Sequence, residues 1–215
     1  MKQDRILLGD DHSLIIAGIR GLLESQYDII GSADNGRSLV EAALRLTPDL
    51  VILDVSMPIL NGIDAAREIR RVLPATKLIF LSMHSNPLYL RKALEAGASA
   101  YVLKSGASEE LLTALEMVRK GEIYVSAGFD RQVLDAVRDW PQKTRRFVIE
   151  LTARQRQILQ LIAEGKQNKE IAEILHTSIK TVEFHRSRLM TKLGAHTVAE
   201  LTRLAIEEGV ISIQQ

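Results

Sequence analysis

The chain has 215 residues, 46% hydrophobic and 26% charged, with Lys+Arg 28 against Asp+Glu 27 and a net charge of +1. That is the make-up of one large or two small globular domains, not of a disordered tail, a fibre or a low-complexity chain. Zero Cys excludes disulfides, zinc fingers, thiol catalysis and iron–sulfur clusters, and 4% aromatics argue against a base-stacking platform. No run of about 18 apolar residues marks a membrane span, and the first residues show no signal-peptide core, so a cytoplasmic protein is expected.

Residues 1–120 alternate strand-like runs with helix-like segments. Arg5–Gly9 is a short apolar run ending at Asp10-Asp11, and Leu14–Leu23 follows with helical spacing. Ile29–Gly31 is a second strand core. Gly36–Leu46 is a helix with Leu39, Val40, Ala43 and Leu46 on one face, stopped by Thr47-Pro48. Leu50–Asp54 is a continuous apolar run ending in an acid, ahead of a helix at Ile63–Val72. Leu78–Ser82 and Ala100–Leu103 are the fourth and fifth strands, followed by helices at Leu88–Ala96 and Glu109–Lys120. Five strand–helix repeats predict an α/β fold with a parallel sheet covered on both faces, whose strands read as apolar runs. Right-handed crossovers favour a doubly wound five-stranded sheet of order 2-1-3-4-5. Such folds bind ligands beyond the C-terminal strand ends, at the switch between strands 1 and 3. Asp10, Asp11, Asp54, Ser82 and Lys104 stand at those ends.

From Gly121 to Glu150 the alternation stops, and 121–150 is read as an interdomain linker. It holds Gly128, Pro141 and the cluster Lys143-Thr144-Arg145-Arg146, with a helix expected near Asp130–Trp140 and Trp140 expected to pack. Residues 151–215 read as an all-α domain of four helices. Thr152 and Gln155 form a capping box for the first, Asn168–Leu175 is a short second, Ser178 caps a third reaching Leu193-Gly194, and Thr197–Glu208 is the fourth. A short helix, a tight link and a longer basic helix make a helix-turn-helix. Residues 1–120 carry net −1 and 151–215 net +2, and Ser178–Lys192 holds Lys180, Arg186, Arg188 and Lys192 against Glu183 alone, which by charge is either a local basic element or a solvated helix face.

Three carboxylates converging on one sheet edge repel, and raise one another's pKa unless a cation neutralises them. Oxygen-only ligands suit Mg²⁺, and a carboxylate beside Mg²⁺ and a lysine can attack a phosphoryl donor to give an aspartyl phosphate. In the third helix of the C-terminal domain, Val182, His185, Leu189 and Leu193 share the inward spacing, so His185 is expected to pack. Lys180, Glu183, Phe184 and Ser187 share the opposite face. Phe184 suits a thymine methyl in the major groove while Lys180, Arg186 and Arg188 reach phosphate or base edges; Glu183 either accepts from cytosine or pairs with an arginine. Gly31–Ser38 imitates a phosphate-binding loop, but it lacks the lysine and follows the second strand, so a turn into the second helix is expected.

On these residues, 1–120 resembles the receiver domain of a bacterial two-component response regulator. The matching stretches are Leu8-Gly-Asp-Asp-His12, Val51-Ile-Leu-Asp-Val-Ser-Met-Pro-Ile-Leu-Asn-Gly62, Leu81-Ser82 and Gly97-Ala-Ser-Ala-Tyr-Val-Leu-Lys104. Residues 151–210 resemble the LuxR-type helix-turn-helix through Leu151-Thr-Ala-Arg154, Asn168-Lys-Glu-Ile-Ala172, Thr181-Val-Glu-Phe-His185 and Lys192-Leu-Gly194. The domain order is that of the NarL/FixJ subfamily, giving expected domains at 1–120 and 151–215. The resemblance implies that Asp54 is the phosphoacceptor. It also implies that Asp11, Asp54 and the Ser56 backbone carbonyl ligate Mg²⁺ with Asp10 acting through water, that Lys104 contacts the phosphoryl group, and that Ser82 and Tyr101 form the switch pair. Lys180, Thr181, Glu183, Phe184, Arg186, Ser187 and Arg188 are the expected DNA contacts. Partners implied are a cognate histidine kinase, double-stranded DNA with two half-sites and, once phosphorylated, a second copy of the chain, with no membrane. No enzyme activity is implied beyond the receiver's own phosphoryl transfer and dephosphorylation.

Two departures stand out. Ser105 follows Lys104 where many receivers have Pro, which disfavours a cis bond there by about 2.5–4 kcal/mol. Gln155 stands where many LuxR-type domains have Glu and still serves the cap. Two other readings compete. A phosphatase or phosphotransferase on the same pocket lacks a second Asp two residues after Asp54, where Ser56 stands. A DNA-binding protein whose receiver only dimerises is opposed by the complete acid and switch set.

Overall fold

A computed structural model describes residues 3–129 and 151–211. The expected helix near Asp130–Trp140, the packing of Trp140 and the Lys143–Arg146 cluster lie outside these residues. The chain divides into two compact units, one within 1–140 and one within 141–215.

In the first unit β1 (Arg5–Gly9), β2 (Asp28–Ala33), β3 (Leu50–Leu53), β4 (Lys77–Ser82) and β5 (Ala100–Leu103) are interleaved with α1 (Ser13–Leu23), α2 (Gly36–Leu46), α3 (Gly62–Val72), α4 (Pro87–Glu95) and α5 (Ala107–Arg119). All strand pairs are parallel. The apolar runs are buried on both faces because successive side chains point to opposite sides. Leu7, Val51, Leu53, Leu78, Phe80, Tyr101 and Leu103 pack on the side of α2, α3 and α4. Ile6, Leu8, Leu50, Ile52, Ile79, Leu81 and Val102 pack on the side of α1 and α5. Each such fully buried aliphatic side chain contributes about 1.5–3 kcal/mol. Asn35, Asn61 and Asn86 start α2, α3 and α4 by accepting a backbone N–H with the side-chain oxygen.

One feature corrects the expected sheet. It has six strands, in the order β2-β1-β3-β4-β5-β6, because Tyr124–Val125 (β6) pairs in parallel with Ala100 and Tyr101 at the β5 edge. The stretch read as linker from Gly121 therefore begins as part of the first unit. Two residues of strand carry no periodicity to read. Their anchors are non-local: the Tyr124 hydroxyl donates to Glu110 Oε2 at 2.9 Å, and the Ser126 hydroxyl donates to the same oxygen.

The second unit consists of α6 (Ala153–Ala163), α7 (Asn168–Ile174), α8 (Ile179–Leu193) and α9 (Val198–Glu207). Thr152 and Gln155 form the expected capping box, Ser178 caps α8 and Thr197 caps α9. Gly194 ends α8 at φ 63°, a left-handed conformation that a residue without Cβ adopts at no steric cost. Ile158, Leu159, Leu161, Ile162, Ile171, Val182, Leu189 and Leu201 fill the core. No peptide bond is cis among the described residues.

Candidate functional site

The sheet itself builds the acidic site of the first unit. The Asp10 N–H donates to the Ala33 carbonyl at 3.0 Å and the Asp54 N–H to the Gly9 carbonyl at 2.8 Å, so strand pairing continues one residue past β1 and β3. Both acids are thereby fixed side by side where the strand order reverses, the position at which this topology leaves a crevice. The loop after Asp54 returns so closely that a Cβ at Gly62 would lie 1.8 Å from the Asp54 carbonyl oxygen. Only glycine fits there, and the Gly62 N–H donates to the Val55 carbonyl at 2.9 Å. This is the physical need for Gly at the end of the Val51–Gly62 motif.

Lys104, at the end of β5, reaches both acids. Its Nζ lies 2.7 Å from Asp10 Oδ2 and 3.0 Å from Asp54 Oδ2, with side chains 6%, 2% and 5% exposed. Burial pushes the Asp54 carboxyl above its ordinary value; Lys104 pulls it down, Asp10 pushes it up, and the net is a rise. Burial alone would lower the Lys104 ammonium, but the attraction of Asp54 and Asp10 outweighs it and the group is held above its ordinary value. One lysine thus faces two buried carboxylates, and Asp11 adds a third. Asp10, Asp11, His12 and Asp54 offer ligand atoms all within 4.8 Å of one another. A buried oxygen of Asp11, Oδ1, meets His12 Nδ1 at 3.1 Å. Three hard carboxylate donors short of positive charge fit a divalent cation of the Mg²⁺ type.

Around this cluster stand Ser82 and Tyr101, the pair expected to act as a switch. Ser82 and Tyr101 are both fully buried. The Tyr101 hydroxyl donates to the His84 carbonyl at 2.8 Å, and burial pushes its phenol well above the ordinary value. The ring is therefore already turned inward. The Ser82 hydroxyl accepts the His84 N–H at 3.1 Å. His84 Nε2 lies 2.8 Å from the Ser56 hydroxyl, and its ring stacks on Tyr89 at 4.2 Å. Burial lowers the His84 imidazole below its ordinary value, against an opposing pull from Asp54. Sequence reading assigned no role to His12 or His84. Both sit two residues beyond a site residue, Asp10 and Ser82, and that spacing was the available signal.

In the second unit the outward face of α8 is as expected for Lys180, Glu183, Phe184, Ser187 and Arg188, which are all exposed. Phe184 is 54% exposed, and the Arg188 guanidinium lies 4.8 Å over its ring. Val182 and Leu189 are fully buried and His185 is half-buried, as the inward spacing requires. Two expected contacts are engaged within the fold. Arg186 is half-buried and donates to Asn168 Oδ1 at 3.1 Å, tying α8 to the start of α7. The Thr181 hydroxyl lies 2.9 Å from that of Ser178 in the helix cap.

Residues 6–116 match the response regulator receiver domain, and residues 150–205 match the bacterial regulatory proteins of the luxR family. The transcriptional regulatory protein MctR of Rhizobium johnstonii is 37% identical over 211 residues, 97% of this chain and 95% of that protein. The response regulator UvrY of Escherichia coli is 35% identical over 211 residues, 97% of this chain and 96% of that protein. A solved structure of two RcsB dimers bound to two parallel DNAs is similar at TM-score 0.59 and 27% identity, covering 96% of this chain and 99% of that one.

Proposed function

The chain belongs to the two-component response regulators that join a receiver domain to a LuxR-type DNA-binding domain, and from that premise we propose that phosphorylation of Asp54 by a partner histidine kinase controls how tightly it binds DNA. Its relatives are regulators of transcription rather than enzymes. The chemistry proposed for this chain is confined to its own aspartate, which takes up a phosphoryl group and loses it again to water. The reading places it in the cytoplasm, where kinase and DNA are both within reach.

The observation that carries the reading is Lys104 Nζ poised 2.7 Å from Asp10 and 3.0 Å from Asp54 at the switch point of the sheet. An Asp54 carboxylate oxygen attacks the phosphorus of a phosphohistidine. The O–P bond forms, the N–P bond breaks, and the imidazole leaves with the electron pair. Lys104 stays beside the phosphoryl oxygens and offsets their charge in the transition state. Asp10, Asp11, Asp54 and the Ser56 carbonyl are the residues that would hold Mg²⁺, which when bound supplies further positive charge to those oxygens. Ser82 then has a new acceptor for its hydroxyl, and Tyr101 occupies the space behind it.

In the second unit we assign α8 to the major groove. Lys180, Glu183, Phe184, Ser187 and Arg188 face the DNA, Thr181 approaches it from the first turn, and Arg186 holds the angle between α7 and α8. One such helix spans one half-site, so a phosphorylated homodimer on two half-sites is the proposed binding form. The test is intact mass after incubation with acetyl phosphate and Mg²⁺. One added phosphoryl group is expected in the wild type and none in Asp54→Asn, and equal labelling of that variant would reassign the acceptor.

A further inference from the structure

Tyr101 is covered by a segment outside the receiver motifs. Phe129, only 5% exposed, meets the Tyr101 ring edge-on at 5.6 Å with the ring planes at 78°. It belongs to the same core as Tyr101 and Leu103. The backbone is engaged too: Val125 pairs with Tyr101 in register, and the Ser126 N–H donates to the Tyr101 carbonyl at 2.9 Å. Gly128 passes so near Leu103 that a Cβ would lie 2.6 Å from its Cδ1. Glu110 on α5 accepts from both the Tyr124 and Ser126 hydroxyls, which anchors the segment at its other side.

We propose that Tyr124–Phe129 is a clasp on the switch, in which Phe129 is a positioning residue that holds the Tyr101 ring inward, so that seating of the clasp and phosphorylation of Asp54 favour each other. The inference rests on Asp54 as the phosphoacceptor. The inward ring is in T-shaped contact with Phe129. If the ring swung out, it would give up its hydroxyl bond to the His84 carbonyl and strip Phe129 of an aromatic neighbour. Filling the space behind Ser82 and burying Phe129 are therefore one packing event rather than two. Thermodynamic linkage makes the effect reciprocal: whatever draws Tyr101 inward seats the clasp, and whatever unseats the clasp weakens the inward state. Because the chain runs on from Phe129 toward the DNA-binding domain, the clasp lies on the covalent route between the two activities.

The test uses the full chain with Mg²⁺ and beryllofluoride as the phosphoryl mimic, read by fluorine NMR for bound mimic and by hydrogen exchange for residues 124–129. In the wild type, bound mimic is expected to slow exchange of this segment several-fold. Phe129→Ala should bind the mimic and lose the slowing, and Phe129→Leu should recover most of it. Unchanged exchange in wild type with mimic bound, or the same slowing in Phe129→Ala, would overturn the clasp. Mimic bound equally by Asp54→Asn would instead overturn the phosphoacceptor reading, and the clasp with it.

Discussion

Asp54 is held in an environment that disfavours its ionised form. Its carboxyl is 5% exposed, shares one lysine with Asp10, and is pushed above its ordinary value of 3.8 mainly by burial. A group that binds its proton more tightly when folded stabilises the fold below the unfolded value, and loses that contribution as pH rises through the folded value. Where Asp54 is ionised, its burial is thus a cost to folding. Asp54→Asn keeps the shape, removes the charge and leaves the Lys104–Asp10 pair at 2.7 Å intact. In metal-free urea unfolding followed by circular dichroism between about pH 4 and 8, Asp54→Asn should have a higher receiver midpoint at pH 7 and a flatter pH dependence. A lower midpoint at pH 7 would mean that the Lys104–Asp54 attraction outweighs desolvation.

The elements divide by how local their causes are. On α8 the exposed row Lys180, Phe184, Arg188 has helical i, i+4 spacing, and it was legible in the sequence because periodicity is a local property. Its members should behave differently on DNA. Among the described residues no aromatic ring is recorded against Lys180, whereas the Arg188 guanidinium lies 4.8 Å over the Phe184 ring, so we assign Lys180 to a phosphate and Arg188 to a base edge. Lys180→Ala should weaken binding evenly across sequences and reduce the salt slope by about 1, while Arg188→Ala should cost ~1–3 kcal/mol of discrimination at one base position. Titration against selected and scrambled duplexes at several salt concentrations checks both; identical profiles for the two variants would contradict the division. The strands β1 to β5 and the helices between them were equally legible, as were Asp10, Asp11, Asp54 and Lys104, since each stands at the end of an apolar run. What escaped has long-range causes. β6 is two residues held by Glu110 and by the β5 edge, and Arg186 is tied to Asn168, 18 residues earlier. The contacts of His84 with Ser56 and Tyr101 come from different strand ends that only the folded sheet brings together.

At the scale of the whole molecule, a receiver unit and a LuxR-type helix-turn-helix unit share one chain, and the proposed function requires that they be coupled. Two half-sites read by two linked helices add their contacts, so any state that favours dimers favours operator binding. The most direct measurement is the equilibrium affinity of the full chain for a two-half-site duplex selected from genomic fragments, with and without acetyl phosphate and Mg²⁺, beside Asp54→Asn. The donor is expected to tighten wild-type binding about tenfold, equivalent to ~1.4 kcal/mol, and to leave Asp54→Asn at the weaker value. Equal affinity in all conditions, with Asp54 demonstrably phosphorylated, would contradict the coupling.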